Sequence, residues 1–362
     1  MKTLGFVKNI VHSCLRIREE DRVCILTWGH SLRLAEAFAM ECQKVGAKTH
    51  LDVQTDKLYY QATLKLPIRY LKEADPFSLS LLDVSTANIY IQGPADPEGL
   101  KKITPERMSA IAQGDELFTH KLFEKRIRTA IIYLGYVTPQ RAKTYGFDYE
   151  KWKTNVQAAL NIDYDELRDL ALETGKMLEN ASVVQIRADN GTNLHLDLAG
   201  THARIDDGVI DDEDIRNGSV LSILPTGTVS VIPRERSAEG IFISDVPEAM
   251  TGSLVHGMSW KFQKGRLVSF TGGKNVDAVR DRWKIAKGDK DQASWLTIGL
   301  NPNAEGGYLH NSLALGSVTL GIGDNRGMDG KIESDFSAQC TLLKANVKLD
   351  DKLIIKNGKF VS

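Results

Sequence analysis

Glu333 and Asp335 stand at i and i+2 near the C-terminal end of a 362-residue chain. On a strand that spacing sends both carboxyls to one side. Two carboxyls in one pocket without a metal repel each other, which raises one pKa and leaves a proton donor beside a base. A competing reading makes them a solvated edge pair. Leu224-Pro225-Thr226-Gly227-Thr228 and Glu333-Ser334-Asp335-Phe336 both sit in β-rich settings, and each looks like a metal-ligand motif with a ligand replaced. Other chemistry finds no pattern. His12, His30, His50, His120, His195 and His202 have no ligand spacing, and neither a Gly-x-Ser-x-Gly elbow nor a P-loop occurs. Cys14, Cys24, Cys42 and Cys340 lack CxxC or CxH spacing, which predicts reduced, mostly buried thiols in a cytoplasmic protein.

These residues need a scaffold, and the first half of the chain alternates strands and helices. Arg22 to Trp28 is a short apolar strand closed by Gly29, and Ser31 is placed to cap a helix whose Leu34, Phe38, Cys42 and Val45 share a face. Gly46 stops it, and Lys48 to Val53 begins a second strand. Ala87 to Gln92 and Arg128 to Leu134 read as further strands of an open parallel sheet. The turn Trp28-Gly29-His30-Ser31 lacks the G-x-G-x-x-G spacing of a dinucleotide fold. Residues 149–180 read as helix, with Asp163 and Glu166 spaced as a cap. Leu194, Leu196 and Leu198 then alternate with polar residues, and short strands continue to the end around one helix carrying Val276, Val279, Trp283 and Ala286. Asp350-Asp351 and Asn357-Gly358 mark turns in the tail. The expected fold is α/β, an open parallel sheet in a domain of residues 1–181, followed by a mainly antiparallel β domain of residues 182–362 that carries the site.

Composition is that of a soluble globular protein: 42% hydrophobic, 26% charged, with a formal net charge of −1. No basic field exists to collect nucleic acid or acidic lipid, and no apolar run approaches the roughly 20 residues that span a bilayer. Met1 to Lys8 does not read as a signal peptide.

One series of signals runs in order through the second half. It comprises Asp206-Asp207-Gly208, Gly218, residues 224–228, residues 295–302 with their Gly299-x-Asn301-Pro302 turn, residues 315–325, Glu333-Ser334-Asp335 and the terminal hairpin. This series resembles the C-terminal domain of the thermophilic aminopeptidases (aminopeptidase T and S), two-domain metallopeptidases with a two-metal centre. The resemblance implies the preceding βαβ half as well, and a homodimer. The family's metal ligands are a Glu closing P-x-G-E, a Glu ahead of G-x-N-P, a His in G-x-x-H-I-A-x-G, and the two ends of H-x-D. Matched residue by residue, the resemblance puts Thr228, Trp295, Thr319, Glu333 and Asp335 at those positions. One ligand is kept, one is exchanged for another carboxylate, and three are lost. Indole offers a metal no lone pair, and a threonine hydroxyl is a poor substitute for carboxylate or imidazole. The two-metal mechanism of a metal-bound hydroxide attacking a polarised carbonyl is therefore not expected.

A related branch, the mononuclear-iron 2,5-dihydroxypyridine dioxygenases, calls for two histidines and a carboxylate on one face, and both family histidine positions are lost. The leading expectation is an aminopeptidase-like enzyme without metal, in which Glu333 and Asp335 transfer protons and Trp295 stacks an aromatic group. Thr228 and Thr319 would then offer hydroxyls, while Asp324 and Arg326 hold a charged substrate end. Its substrate would be a small amino-acid-, peptide- or heteroaromatic-derived molecule, undergoing hydrolysis, ring opening or cyclisation. Two alternatives stay open: a non-catalytic descendant that binds a peptide or partner, and a zinc or iron enzyme completed by His256 or His310.

Overall fold

The computed structural model describes residues 4–250 and 252–361, and the chain divides into two compact units. The first comprises Met1–Tyr164 and Gly208–Pro225, the second Asp165–Asp207 and Thr226–Ser362. A single division after residue 181 was expected, but the chain crosses between units three times.

In the first unit the strands Arg22–Trp28, Lys48–Gln54, Ala87–Ile91 and Arg128–Ile132 form a parallel sheet with Leu221–Leu224 at one edge. The order across the sheet is Lys48–Gln54, Arg22–Trp28, Ala87–Ile91, Arg128–Ile132, Leu221–Leu224. The three central strands are buried on both faces (Ile25, Ile89 and Ile132 are each fully buried), as strands sandwiched between helices must be. The last strand was not expected here. Its four residues, Leu-Ser-Ile-Leu, are too short to carry a period, and pairing Thr129 with Leu221 places it. At the opposite ends of the strands, Arg128 reaches the buried Asp21 at 2.5 Å and donates to the carbonyls of Leu15 and Arg16. Helices start where the sequence supplies acceptors: Thr104, Thr138 and Asp148 each accept a hydrogen bond from a backbone N–H of the first turn. Ser31 does occupy the N-cap of Leu32–Lys44, but its side chain makes no capping bond.

The second unit is mainly antiparallel β. Eight strands make one sheet, from Arg266–Thr271 through Asn193–Asp197, Val183–Arg187 and Asn346–Leu349 to Lys359–Phe360. The tail turns where expected, with Asp350 at φ 48° and Asn357 at φ 48° followed by Gly358 at φ 74°. A second sheet runs in the order Ser337–Leu342, Val318–Gly323, Ala293–Gly299, Thr228–Val231, Ala203–Asp206. A two-stranded hairpin, Glu248–Met250 with Ser253–Val255, completes the unit's strands among the described residues. The fold class is thus the expected one, a parallel α/β sheet followed by antiparallel sheets. All four cysteines are buried and none is in a disulfide. Among the described residues no helix is long and apolar enough to cross a membrane.

Candidate functional site

The five-stranded antiparallel sheet gathers three of the five expected positions on one face. Thr228 pairs with Gly299, Thr297 with Thr319, and Trp295 with Gly321. Strand alternation therefore puts Thr228, Trp295 and Thr319 on the same side. The other side is apolar core, with Val229, Ile298, Leu320 and Ile322 all fully buried.

The shared face is polar and also buried. Ser230, Thr297, Thr319 and Thr341 lie in one row across four strands, each no more than 6% exposed. Their hydroxyls pair in twos, Ser230 with Thr297 at 2.7 Å and Thr319 with Thr341 at 2.8 Å. Buried hydroxyls need such partners, because each one left unmade costs about 1–3 kcal/mol. Thr228 lies one alternation away and donates to Asp206 Oδ2 at 3.4 Å. It follows Gly227, whose φ of 120° disfavours any other residue and where an added Cβ would fall 3.0 Å from the Asn301 backbone N.

Trp295 is 9% exposed and lies flat over Gly321, where a Cβ would fall 1.9 Å from the indole. In the family's G-x-x-H-I-A-x-G pattern the corresponding residue is alanine. Residue 321 can be nothing larger than glycine while the ring lies there, so the two positions are sterically coupled. The ring fills this part of the face with apolar surface.

At the end of the hydroxyl row stands a group with no sequence signal. Glu248, on the hairpin, is 3% exposed. Burial pushes its carboxyl up to about 7, against the opposing pull of Thr341 and Asn311. Its Oε1 has no hydrogen-bond partner among the described residues. Val246-Pro247-Glu248 carries no motif, and only the tertiary environment marks it.

The remaining expected residues lie in the loop from 324 to 336. Asp324, Arg326 and Glu333 come together: Arg326 donates to Asp324 at 2.7 Å and to Glu333 at 3.2 Å. The Ser334 backbone N–H and the Arg326 guanidinium hold Asp324 below the usual carboxylate range. Glu333 and Asp335 do not form the expected proton-sharing pair. The strand begins only at Ser337, the Glu333 side chain is 77% exposed, and Asp335 turns to accept the Lys287 backbone N–H at 2.6 Å. An arginine beside one carboxylate and a backbone amide beside the other remove the repulsion on which that reading relied. His256 lies in the turn before Ser259–Gln263, its main chain bonded to Lys274 and Gly273. The His310 ring is buried, which pushes its pKa down to about 4.

At the positions to which the resemblance points, the side chains are a poor donor set for two metal ions. Thr228 and Thr319 hydroxyls are engaged by Asp206 and Thr341, and the Trp295 indole covers Gly321, one alternation beyond Thr319. Among the described residues no three His, Cys, Asp or Glu converge on a point that could hold an ion.

The scaffold is a parallel α/β unit followed by antiparallel sheets, one of which carries the polar face just described. Residues 4–290 match the thermophilic metalloprotease family (M29), and the chain belongs to it. The match ends ahead of Trp295, Thr319, Glu333 and Asp335. A 2,5-dihydroxypyridine 5,6-dioxygenase of Pseudomonas putida KT2440 is 24% identical over 218 residues, 56% of this chain; the match spans 60% of that relative's length. The structure of 2,5-dihydroxypyridine dioxygenase from the same organism covers the whole chain with a TM-score of 0.64 at 16% identity, and 97% of that structure is matched. Wild-type AmpT from Thermus thermophilus gives a TM-score of 0.74 at 14% identity, over 100% of this chain and 99% of its own. At these identities the two structures are shared folds.

Proposed function

We propose that this member of the metalloprotease family is an enzyme that has given up the two-metal centre and works by acid–base chemistry. Its substrate is a small amino-acid-, peptide- or heteroaromatic-derived molecule. The observation that carries this reading is the Trp295–Gly321 contact, an apolar ring seated where the family pattern has a ligand, on a face that keeps its buried hydroxyls. The indole offers a stacking wall. Glu248 is the proton donor, since its carboxyl holds a proton up to about pH 7. Asp324, Arg326 and Glu333 form the charged anchor for a substrate end, and Asp335 fixes the loop that carries them. This loop starts at Asp324, five residues beyond Thr319 along the strand Val318–Gly323, about 16 Å at 3.3 Å per residue. The proposal extends to a homodimer in the cytoplasm, on the family resemblance and the reduced thiols.

A non-catalytic descendant draws support from one fact: Glu333 and Asp335 are both engaged by donors, Arg326 and the Lys287 amide. The deciding experiment is elemental analysis of the purified protein together with turnover of leucine and arginine p-nitroanilides. Less than about a tenth of an equivalent of zinc, iron, manganese or cobalt and no amino-acid release are expected, because the donor set is too poor. Near-stoichiometric metal, lost on chelation together with peptidase turnover, would restore the metalloenzyme reading with substitute ligands such as His256 or His310. A metabolite screen then separates the other two readings: Glu248→Gln abolishes conversion of a substrate in the enzyme, and leaves ligand affinity intact in a binder.

A further inference from the structure

We propose that the first unit carries a binding site of its own, at the carboxyl ends of its parallel strands, for a small organic anion with an apolar body. The topology opens such a place. From Arg22–Trp28 the chain moves out to Lys48–Gln54 on one side, then returns to Ala87–Ile91 on the other. Connections that leave neighbouring strands in opposite directions create a crevice beyond their carboxyl ends, where open α/β sheets bind ligands.

A cavity of about 650 Å³ lies there, within the range of small-molecule sites. Its wall is built by residues that follow the central strands: His30 and Ser31 after Trp28, Ala95 after Ile91, and Val137 and Thr138 after Ile132. Leu34, Ala37, Leu134 and Pro139 make most of the remaining surface apolar.

The charge on this wall has one sign. Arg33 and Lys153 line the cavity and no aspartate or glutamate does. Neither cation has an ion pair among the described residues. Lys153 is half-buried, its Nζ 5.5 Å from the centre of the Tyr149 ring, and a partly desolvated cation without a counter-ion favours an anionic ligand. The helix Leu32–Lys44 starts at the cavity with no acidic residue in its first turn and no side-chain cap on its N–H groups, so its positive end also faces an uncompensated site. His30, which lines the cavity, donates from Nε2 to the Gly135 carbonyl at 2.9 Å, which fixes its ring at the wall. The turn lacks the glycines that admit a pyrophosphate, so the anion is a single carboxylate or phosphate group on an apolar body.

Isothermal titration calorimetry of the full chain with phenylacetate, phenyl phosphate and neutral phenylacetamide tests this. At least one anion should bind saturably with Kd below about 1 mM, and phenylacetamide about tenfold or more weakly, because the charge-assisted contacts are lost. The better anion names the group, carboxylate or phosphate ester. Arg33→Gln and Lys153→Gln, both away from the core, should each weaken the anion by about tenfold, with unchanged circular dichroism. Trp295→Ala and Glu248→Gln should leave it unchanged, which separates this site from the one in the second unit. Failure of both anions to bind, equal binding of phenylacetamide, or anion binding indifferent to both cation variants would overturn the proposal.

Discussion

Glu248→Gln should tilt the pH dependence of stability, and the tilt can be worked out from two buried groups. The Glu248 carboxyl rises from 4.5 in the unfolded chain to about 7 in the folded protein. The folded state therefore keeps a proton that the unfolded chain gives up. The stability this contributes is fully present below pH 4.5 and is lost as pH rises through about 7. The gap is worth about 3 kcal/mol at 1.36 kcal/mol for each pH step. His310 works the other way. Burial lowers it from 6.5 to about 4, so its contribution is present above 6.5 and is lost as pH falls toward 4, again about 3 kcal/mol. Between pH 4.5 and 6.5 the two slopes oppose and nearly cancel. Replacing Glu248 with glutamine removes one of them. Urea unfolding followed by tryptophan fluorescence, from about pH 4.5 to about pH 8, should show the variant gaining about 3 kcal/mol on the parent across that range. His310→Asn should show the opposite tilt at the acid end. Other titrating groups are common to parent and variant and drop out of the difference. Parallel curves for parent and Glu248→Gln would show that Glu248 is not a buried, proton-holding acid, and its role as donor would fall with it.

The Trp295–Gly321 contact predicts strong coupling. Gly321→Ala should cost about 1–3 kcal/mol by overpacking against the indole, and Trp295→Ala about 3–5 kcal/mol by loss of buried surface. Thermal melts of the double variant should then fall short of the sum by about 0.5–3 kcal/mol; strict additivity would mean the ring does not rest on residue 321. In the first unit, Arg128→Met leaves Asp21 a buried charge without its cation and should cost about 3–5 kcal/mol. Adding Asp21→Asn should recover part of the loss, and a double variant no more stable than the single one would refute that account.

The particular residues show where local pattern was enough. Arg22–Trp28, Ala87–Ile91 and Arg128–Ile132 are short apolar runs between turn residues, and their strand state follows from burial on both faces. The tail hairpins follow from Asn357-Gly358 and Asp350, whose backbone accepts positive φ at little cost. Thr228, Trp295 and Thr319 lie on one sheet face because their strands pair in the register Thr228–Gly299, Thr297–Thr319 and Trp295–Gly321. Spacing could not decide Glu333 and Asp335. An i, i+2 pair shares a side only on a strand, and the strand starts at Ser337, after the loop has handed one carboxylate to Arg326 and the other to the Lys287 amide.

The sequence by itself determined the class of fold and its succession of strands and helices, because these depend on residue identity and on contacts close along the chain. The tertiary structure alone decided four things: that Leu221–Leu224 returns to the parallel sheet, that Gly321 makes room for Trp295, that Glu248 is desolvated, and that a cavity with two cations opens beyond the parallel strands. Each depends on burial or on partners far apart in sequence. Glu248 and Thr341 are 93 positions apart, and no local pattern of residue types records the low dielectric that such a distant contact creates.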